Sequence, residues 1–266
     1  MLGAQIYTAA NGLAGHQTIT FNSGATARAN PGESFSMPTT LRMFVPTAIR
    51  AVMDRITPRV ESETGVRIIQ EVELNPLIPE RIRAGEPYDI GLTNPPYAKA
   101  LIDDGFADSG SHRAFGRVSL AVGRKGGAHG QIIADSQGIE ALLRSAKSIA
   151  YTAAGTSGRT YLGVLERMGL TDTALPQSHA MAGGVPAVSV ATGEYELAIA
   201  PLTTVIATPG VVPAAVFPEH LCTHIDMSVF RNAASPDAAA ELIDILTNHD
   251  LDDELAAAGI ARFELI

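Results

Sequence analysis

From Leu41 onwards, short apolar runs alternate with stretches whose apolar residues recur every three or four positions, and this alternation restricts the chain to an α/β architecture with a largely parallel sheet. Residues 41–45 read as a buried strand, and Ile49, Val52, Met53, Ile56 and Val60 then form a helical stripe that stops at Thr64-Gly65. A strand over 66–74, a short helix over 78–84, a strand over 88–93, a helix over 97–104 and a strand over 117–122 complete a first series. A second begins after a glycine-rich, basic turn at 123–130. It comprises a helix over 139–146, strand 148–152, helix 156–168, helix 185–192, and strands 196–200, 211–217 and 223–230. Two helices close the chain. Ser235 is the expected N-cap before Pro236, and Gly259 follows residues 251–258. Two similar series indicate two lobes, with crossovers near 123 and 222. Residues 1–38 are rich in Gly, Ser and Asn and read as an irregular extension, with one short strand near 18–21.

Composition narrows the function classes. At 266 residues, nearly half of them apolar, the chain can bury one large core or two smaller ones. The formal charge of −9 and the lack of any Lys/Arg cluster interleaved with aromatics argue against nucleic acid and anionic membranes as partners. The single cysteine, Cys222, excludes an internal disulfide and a cysteine-rich metal site. No apolar run is long enough to insert into a bilayer. Residues 1–40 contain one basic residue, Arg28, and no signal-peptide pattern. The expected location is therefore cytoplasmic if Met1 is the natural start, and periplasmic if an export signal precedes it.

In open α/β sheets ligands sit where strands end, so the loops after strands carry the chemistry. Thr47 follows the first strand, Asn75 the second, and Thr93 and Asn94 the third. Gly155, Thr156, Ser157 and Gly158 join a strand of the second series to an amphipathic helix marked by Tyr161, Leu162, Leu165 and Met168 and ended by Gly169. Such a turn offers small hydroxyls and unpaired N–H groups, suited to phosphate, an inorganic oxyanion or a carboxylate. Taken singly, Thr156 or Ser157 could equally be a helix cap, and Thr47, Asn75 and Asn94 ordinary caps or turn residues. Arg159 lies in the first turn of its helix, where a cation opposes the dipole; either it clamps a carboxylate or it is solvated or paired with Glu166 or Glu194. His112, His129, His179, His220, His224 and His249 show no metal-ligand spacing, so no metal is expected. His179, before a glycine pair, is the histidine best placed to serve as a general base, or it is a loop residue. No GxSxG, Walker or GxGxxG pattern occurs, and no cofactor is expected.

The segments RITPRVESETGVRI, ERIRAGEPYDIGLTN, RVSLAVGRKG, SIAYTAAGTSGRTYLGVLERMGL, ATGEYELAIAPLTTV and SPDAAAELIDILTNHDLDDELAAAGI, taken together, resemble the type II periplasmic solute-binding proteins, within them the molybdate-binding-protein-like family. The resemblance runs from about residue 40 to the C-terminus. It implies a two-lobed periplasmic-binding-protein type II fold with mixed, mainly parallel sheets and two hinge strands. Lobe 1 would comprise 39–121 and 222–266, and lobe 2 would comprise 122–221. Carried onto this chain, the ligand loops are Thr47, Asn75, Thr93 or Asn94, Thr156 and Ser157, with Gly184 and Pro201 on the far wall. The chain departs from the molybdate binders with VPTAI after its first strand and LNPLIP after its second, and with Arg159 these departures suggest an organic carboxylate. The implied function is capture of a small anion, with a transporter permease as partner. The alternative is an aconitate-isomerase-like enzyme that shifts a proton in an unsaturated di- or tricarboxylate, with His179, Tyr97 or Tyr151 transferring it.

Overall fold

The computed structural model describes residues 38–127 and 130–265. The irregular extension with its strand near 18–21 falls outside them but for residue 38, as do His129 and residue 128 of the glycine-rich turn. The first apolar run is β1 (Thr40–Pro46), parallel to β2 (Arg67–Glu73) on one side and to β3 (Ile90–Thr93) on the other. Parallel neighbours require crossovers, here α1 (Arg50–Thr64) and α2 (Ile78–Arg83). α1 buries Val52, Met53, Ile56 and Val60, and ends at Gly65, whose φ of 68° is a left-handed conformation that a side chain would disfavour. α3 (Pro95–Asp103) follows β3 and begins two residues earlier than its apolar spacing suggests, because Pro95 and Pro96 suit a first turn whose N–H groups have no partner.

The long strand β4 (Arg113–Lys125) ties the two series of elements together. Residues 113–119 pair antiparallel with β9 (His224–Arg231), whereas 120–125 pair with β7 (Leu197–Pro201) and β8 (Val211–Val216). One strand thus belongs to two half-sheets, in the order β2-β1-β3-β9-β4 and then β4-β7-β5-β6. β5 (Ile149–Thr152) is parallel to β7 and to the edge strand β6 (Ser178–Met181). The architecture is mixed α/β as expected, with parallel ladders at the outer edges and antiparallel ladders around β4 and β9. The second half-sheet is flanked by α4 (Ser136–Ser145), α5 (Thr156–Arg167), α6 (Thr171–Ala174), α7 (Val185–Thr192) and α8 (Leu202–Ala207). The chain returns to the first with α9 (Asp237–Thr247), α10 (Asp252–Ala257) and β10 (Ile260–Ala261), which pairs with β4.

Each half-sheet has its own core. Met43, Ile56, Leu92, Phe115, Met227 and Leu242 pack on one face of the first, and Phe44, Tyr88 and Phe230 on the other. Adjacent strand residues face opposite sides, so a strand covered on both reads as a continuous apolar run. Leu120, Ile149, Tyr161, Leu165 and Ile199 fill the second half.

Three local expectations are corrected. Gly123 to Lys125 belong to β4 and not to a turn; a Cβ on Gly123 would lie 2.9 Å from Val211 Cγ1, so a glycine lets β8 come alongside. The N-cap of α9 is Pro236, and Ser235 instead donates its hydroxyl to Asp89 O at 2.9 Å. His179 sits in β6 and not in a loop; its strand is an edge, half exposed, and lacks the apolar run that marks central strands.

The end of β9 is clipped to the turn Ser109–Ser111. Asp108 accepts from Gly110 N at 2.9 Å and from Arg231 Nε at 3.0 Å, and these two contacts hold its carboxyl below the usual carboxylate range. A depressed carboxyl stabilises the fold above its unfolded pKa and loses that contribution as pH falls through the folded value. Asp108→Ala should therefore lower the urea midpoint at pH 7, with the gap to the parent closing as pH drops below about 4. A gap that stays constant down to that pH would rule out the charge as its source.

Candidate functional site

β4 changes partners between Ser119, opposite His224, and Leu120, opposite Pro201. At this switch a cleft opens, enclosing about 490 Å³ including the solvent at its mouth. The first half-sheet contributes Thr47 and Ala48 after β1, Leu74 and Asn75 after β2, and Ile225 of β9. The second contributes Thr152, Gly155, Thr156 and Ser157 where β5 turns into α5, Gly184, Pro186 and Ala187 at the start of α7, and Ala200, Pro201 and Thr204 where β7 turns into α8.

Four helical starts thus supply the wall: the 3-10 turn Thr47–Ile49 that leads into α1, and the first turns of α5, α7 and α8. Their N-cap residues are Pro46, Gly155, Gly184 and Pro201, and none has a side chain able to accept a hydrogen bond; no start carries a side-chain cap. Helix starts leave N–H groups without intrahelical partners and carry a partial positive charge. In α7, Val185 N reaches Ala182 O at 3.4 Å and Pro186 has no N–H, so its donors begin at Ala187. In α5 the N–H groups of Thr156, Ser157 and Gly158 have no partner among the described residues.

Gly158 fixes where those donors point. A Cβ there would overlap Thr152 O, so only glycine lets the first turn of α5 sit on the end of β5. Side-chain donors complete the wall. Ser157 is buried, and its hydroxyl has no partner among the described residues; the same holds for the half-buried Thr47. Asn75 is oriented from behind by the fully buried Thr93, whose hydroxyl donates to Asn75 Oδ1 at 3.1 Å, while Asn75 Nδ2 lies 3.3 Å from Met227 Sδ.

The structure brings Thr47, Asn75, Thr156, Ser157, Gly184 and Pro201 together. Thr93 is a layer behind. Asn94 stands at the rim, with Oδ1 accepting from Thr156 Oγ1 at 2.8 Å and Nδ2 donating to Asp226 O at 2.7 Å. Neither Thr156, at the first position of α5, nor Asn94, the N-cap of α3, uses its side chain as a cap. Beyond that bond lies an adjoining depression lined by Asn94, Tyr97, Arg117, His224 and Asp226. Arg117 grips Asp226 through two bonds of 2.7 and 2.9 Å, and the bonded carboxylate raises the guanidinium pKa further.

Three expected residues lie elsewhere. Arg159 is exposed and absent from the cleft wall: at 100° per residue it points away from the α5 stripe of Ser157, Tyr161, Val164 and Leu165, and it pairs with neither Glu166 nor Glu194. His179 is exposed, its ring centroid 5.1 Å from that of Tyr195. Tyr151 is buried against Tyr161 with centroids 5.4 Å apart, because strand alternation turns Thr152 and not Tyr151 to the cleft. Burial pushes the Tyr161 phenol up to about 12. Sequence reasoning overlooked Leu74, Thr152, Thr204 and Ile225. Thr152 was findable as the last residue of an expected strand, whereas Thr204 lies in α8, a helix too short to show a period. No described residue lining the cleft is charged. Among the described residues no group of three or more His, Cys, Asp or Glu could hold a metal ion.

Residues 41–260 match the family described as bacterial extracellular solute-binding protein. The chain is 23% identical over 233 residues to an aconitate isomerase of Pseudomonas sp., a match covering 84% of this chain and 87% of the relative. Among solved structures, the periplasmic molybdate-binding protein of Azotobacter vinelandii superposes with a TM-score of 0.70 at 18% identity, covering 83% of this chain and 98% of that one. The sulfate-binding protein of Mycobacterium tuberculosis superposes with a TM-score of 0.65 at 16% identity, covering 84% and 87%.

Gly158→Ala should cost about 1–3 kcal/mol or more, the range for overpacking a tight contact, read as a lower urea midpoint. A variant as stable as the parent would mean that the start of α5 is free to move.

Proposed function

We propose that this chain, which belongs to the bacterial extracellular solute-binding protein family, captures a compact oxyanion in the cleft and delivers it to a transporter permease outside the cytoplasm. The observation that carries this reading is the set of four helical starts whose N-cap residues cannot cap. An anion with oxygens on every side would accept the N–H groups that caps leave free, together with the hydroxyls of Thr47 and Ser157 and the amide of Asn75. Hydrogen bonds to a charged acceptor are each worth roughly 1.5–3 kcal/mol, twice the neutral value, so a wall of neutral donors suffices for a charged guest. The molybdate-binding and sulfate-binding neighbours support the oxyanion class. With Arg159 outside the wall, the case for an organic carboxylate loses its clamp.

In this reading the two half-sheets are lobes, 39–121 with 222–266 and 122–221, that close on the ligand about β4 and the segment between β8 and β9. A second reading has one observation in its favour, the aconitate isomerase relative. Proton shift requires an acid/base group at the ligand. The cleft wall supplies hydroxyls, one amide and N–H groups, and Tyr97 and His224 stand beyond the Asn94–Thr156 bond. Binding without turnover therefore fits the wall better.

Calorimetry with molybdate, tungstate, sulfate and cis-aconitate, with NMR of the cis-aconitate sample, decides between them. Saturable heat with an inorganic oxyanion and unchanged cis-aconitate supports capture; a converted product supports the isomerase. Ser157→Ala should weaken the bound oxyanion by about 1.5–3 kcal/mol. Arg159→Ala should shift its affinity by less than about 0.5 kcal/mol, and a larger loss would return the arginine to the site.

A further inference from the structure

Leu74, just after β2, sends a large apolar side chain from the first half-sheet to the facing wall of the cleft. Its backbone is fixed: Leu74 N donates to Glu73 Oε1 at 2.8 Å, and Leu74 O accepts from Leu77 N at 2.9 Å and from Ile78 N at 3.3 Å. Its isobutyl group lies against two glycines of the other half-sheet. A Cβ on Gly183 would stand 2.8 Å from Leu74 Cδ2 and 3.5 Å from its Cγ, and one on Gly155 would stand 3.7 Å from Cδ2. Neither glycine has a positive φ, so the backbone does not demand glycine; at Gly183 the space left for Leu74 does, while at Gly155 a Cβ would meet Thr152 Cγ2 at 3.0 Å and leave Leu74 at ordinary contact distance. Gly155 and Gly183 belong to the loops that lead into α5 and α7, which supply the N–H donors of the wall. The Asn94–Thr156 bond bridges the halves at the rim.

We infer that Leu74 is a size gate: its contact with Gly155 and Gly183, made without a guest, survives binding only when the guest is small enough to let the half-sheets stay together, so it selects compact anions against bulkier polycarboxylates and slows their release. The inference rests on capture in this cleft. A methyl or isobutyl group has no attraction for an anion, so its effect is steric, and it dries the mouth over the ligand. Removing it leaves the donors untouched. Restoring bulk from the opposite wall, at Gly183, pushes against Leu74 and opens the same joint.

The test is a double-substitution cycle with Leu74→Ala, Gly183→Val and the pair, using molybdate and citrate as probes. Leu74→Ala should release molybdate about tenfold faster and reduce the preference for molybdate over citrate about tenfold, each the size of a 1.4 kcal/mol change. Gly183→Val should weaken molybdate by a similar factor, and the pair, with the bulk moved to the opposite wall, should recover the parental affinity. Simple additivity, or an unchanged release rate in Leu74→Ala, overturns the gate. A ligand-free readout separates this from failure of the capture reading. Spin labels at the exposed positions Ser62→Cys and Ala141→Cys, in a Cys222→Ser background, report the distance between the half-sheets. Loss of the contact should lengthen or broaden that distance in Leu74→Ala and Gly183→Val and leave it parental in the pair; identical distributions in all four proteins overturn the gate. If no anion binds the parent, the capture reading falls, while the label distances still decide whether Leu74 joins the halves.

Discussion

The hydrogen-bond ladder of β4 is the constraint on which the rest of the molecule depends. Because residues 113–119 pair with β9 and residues 120–125 with β7 and β8, one unbroken strand fixes both half-sheets. The cleft lies where the partner changes, and Pro201 and Ile225, on either side of that change, both line it. Parallel strands with helical crossovers end their strands on the same side, so the turns after β1, β2, β5 and β7 reach one place without any being long. The site is a consequence of topology before it is one of side-chain chemistry.

Leaving four helical starts uncapped has a cost, since a side-chain cap contributes about 1 kcal/mol. Pro46, Gly155, Gly184 and Pro201 forgo it together, at the four starts that share the cleft. Side-chain caps are uncommon in the molecule: Asp135 accepts from Gly138 N at the start of α4 and Asn248 accepts from Asp250 N, whereas α1, α2, α3, α9 and α10 also start without one. An acceptor from outside restores what the local sequence omits, so binding and stability are coupled through the same N–H groups.

Neutral walls and an acidic chain also fit together. The formal charge of −9 repels anions at long range, and salt screens that repulsion over about 8–10 Å. Inside the cleft, no charged side chain competes with a bound anion for donors. Arg117, in the adjoining depression, is paired with Asp226, and the Asn94–Thr156 bond stands between the two spaces. The guest is therefore held by directed hydrogen bonds, which read its shape, more than by a net field.

Most strands and long helices were legible because burial writes a period into the chain: two for a strand, about three and a half for a helix, as in Val52, Met53, Ile56 and Val60 of α1. The turns that hold Thr47, Asn75, Thr156 and Ser157 were legible because they follow apolar strands. β6, α8 and β10 were not, since an exposed edge or a six-residue helix is too short or too polar to carry a period. The sequence by itself determined the alternation of elements and the turns after strands that carry Thr47, Asn75, Thr156 and Ser157. Only the tertiary structure decided that four uncapped helical starts share one cleft, that Leu74 crosses it and that Arg159 faces solvent. Ladder partners and the rotation of a helix about its axis arise from contacts between residues distant in the chain, and local residue order does not encode them.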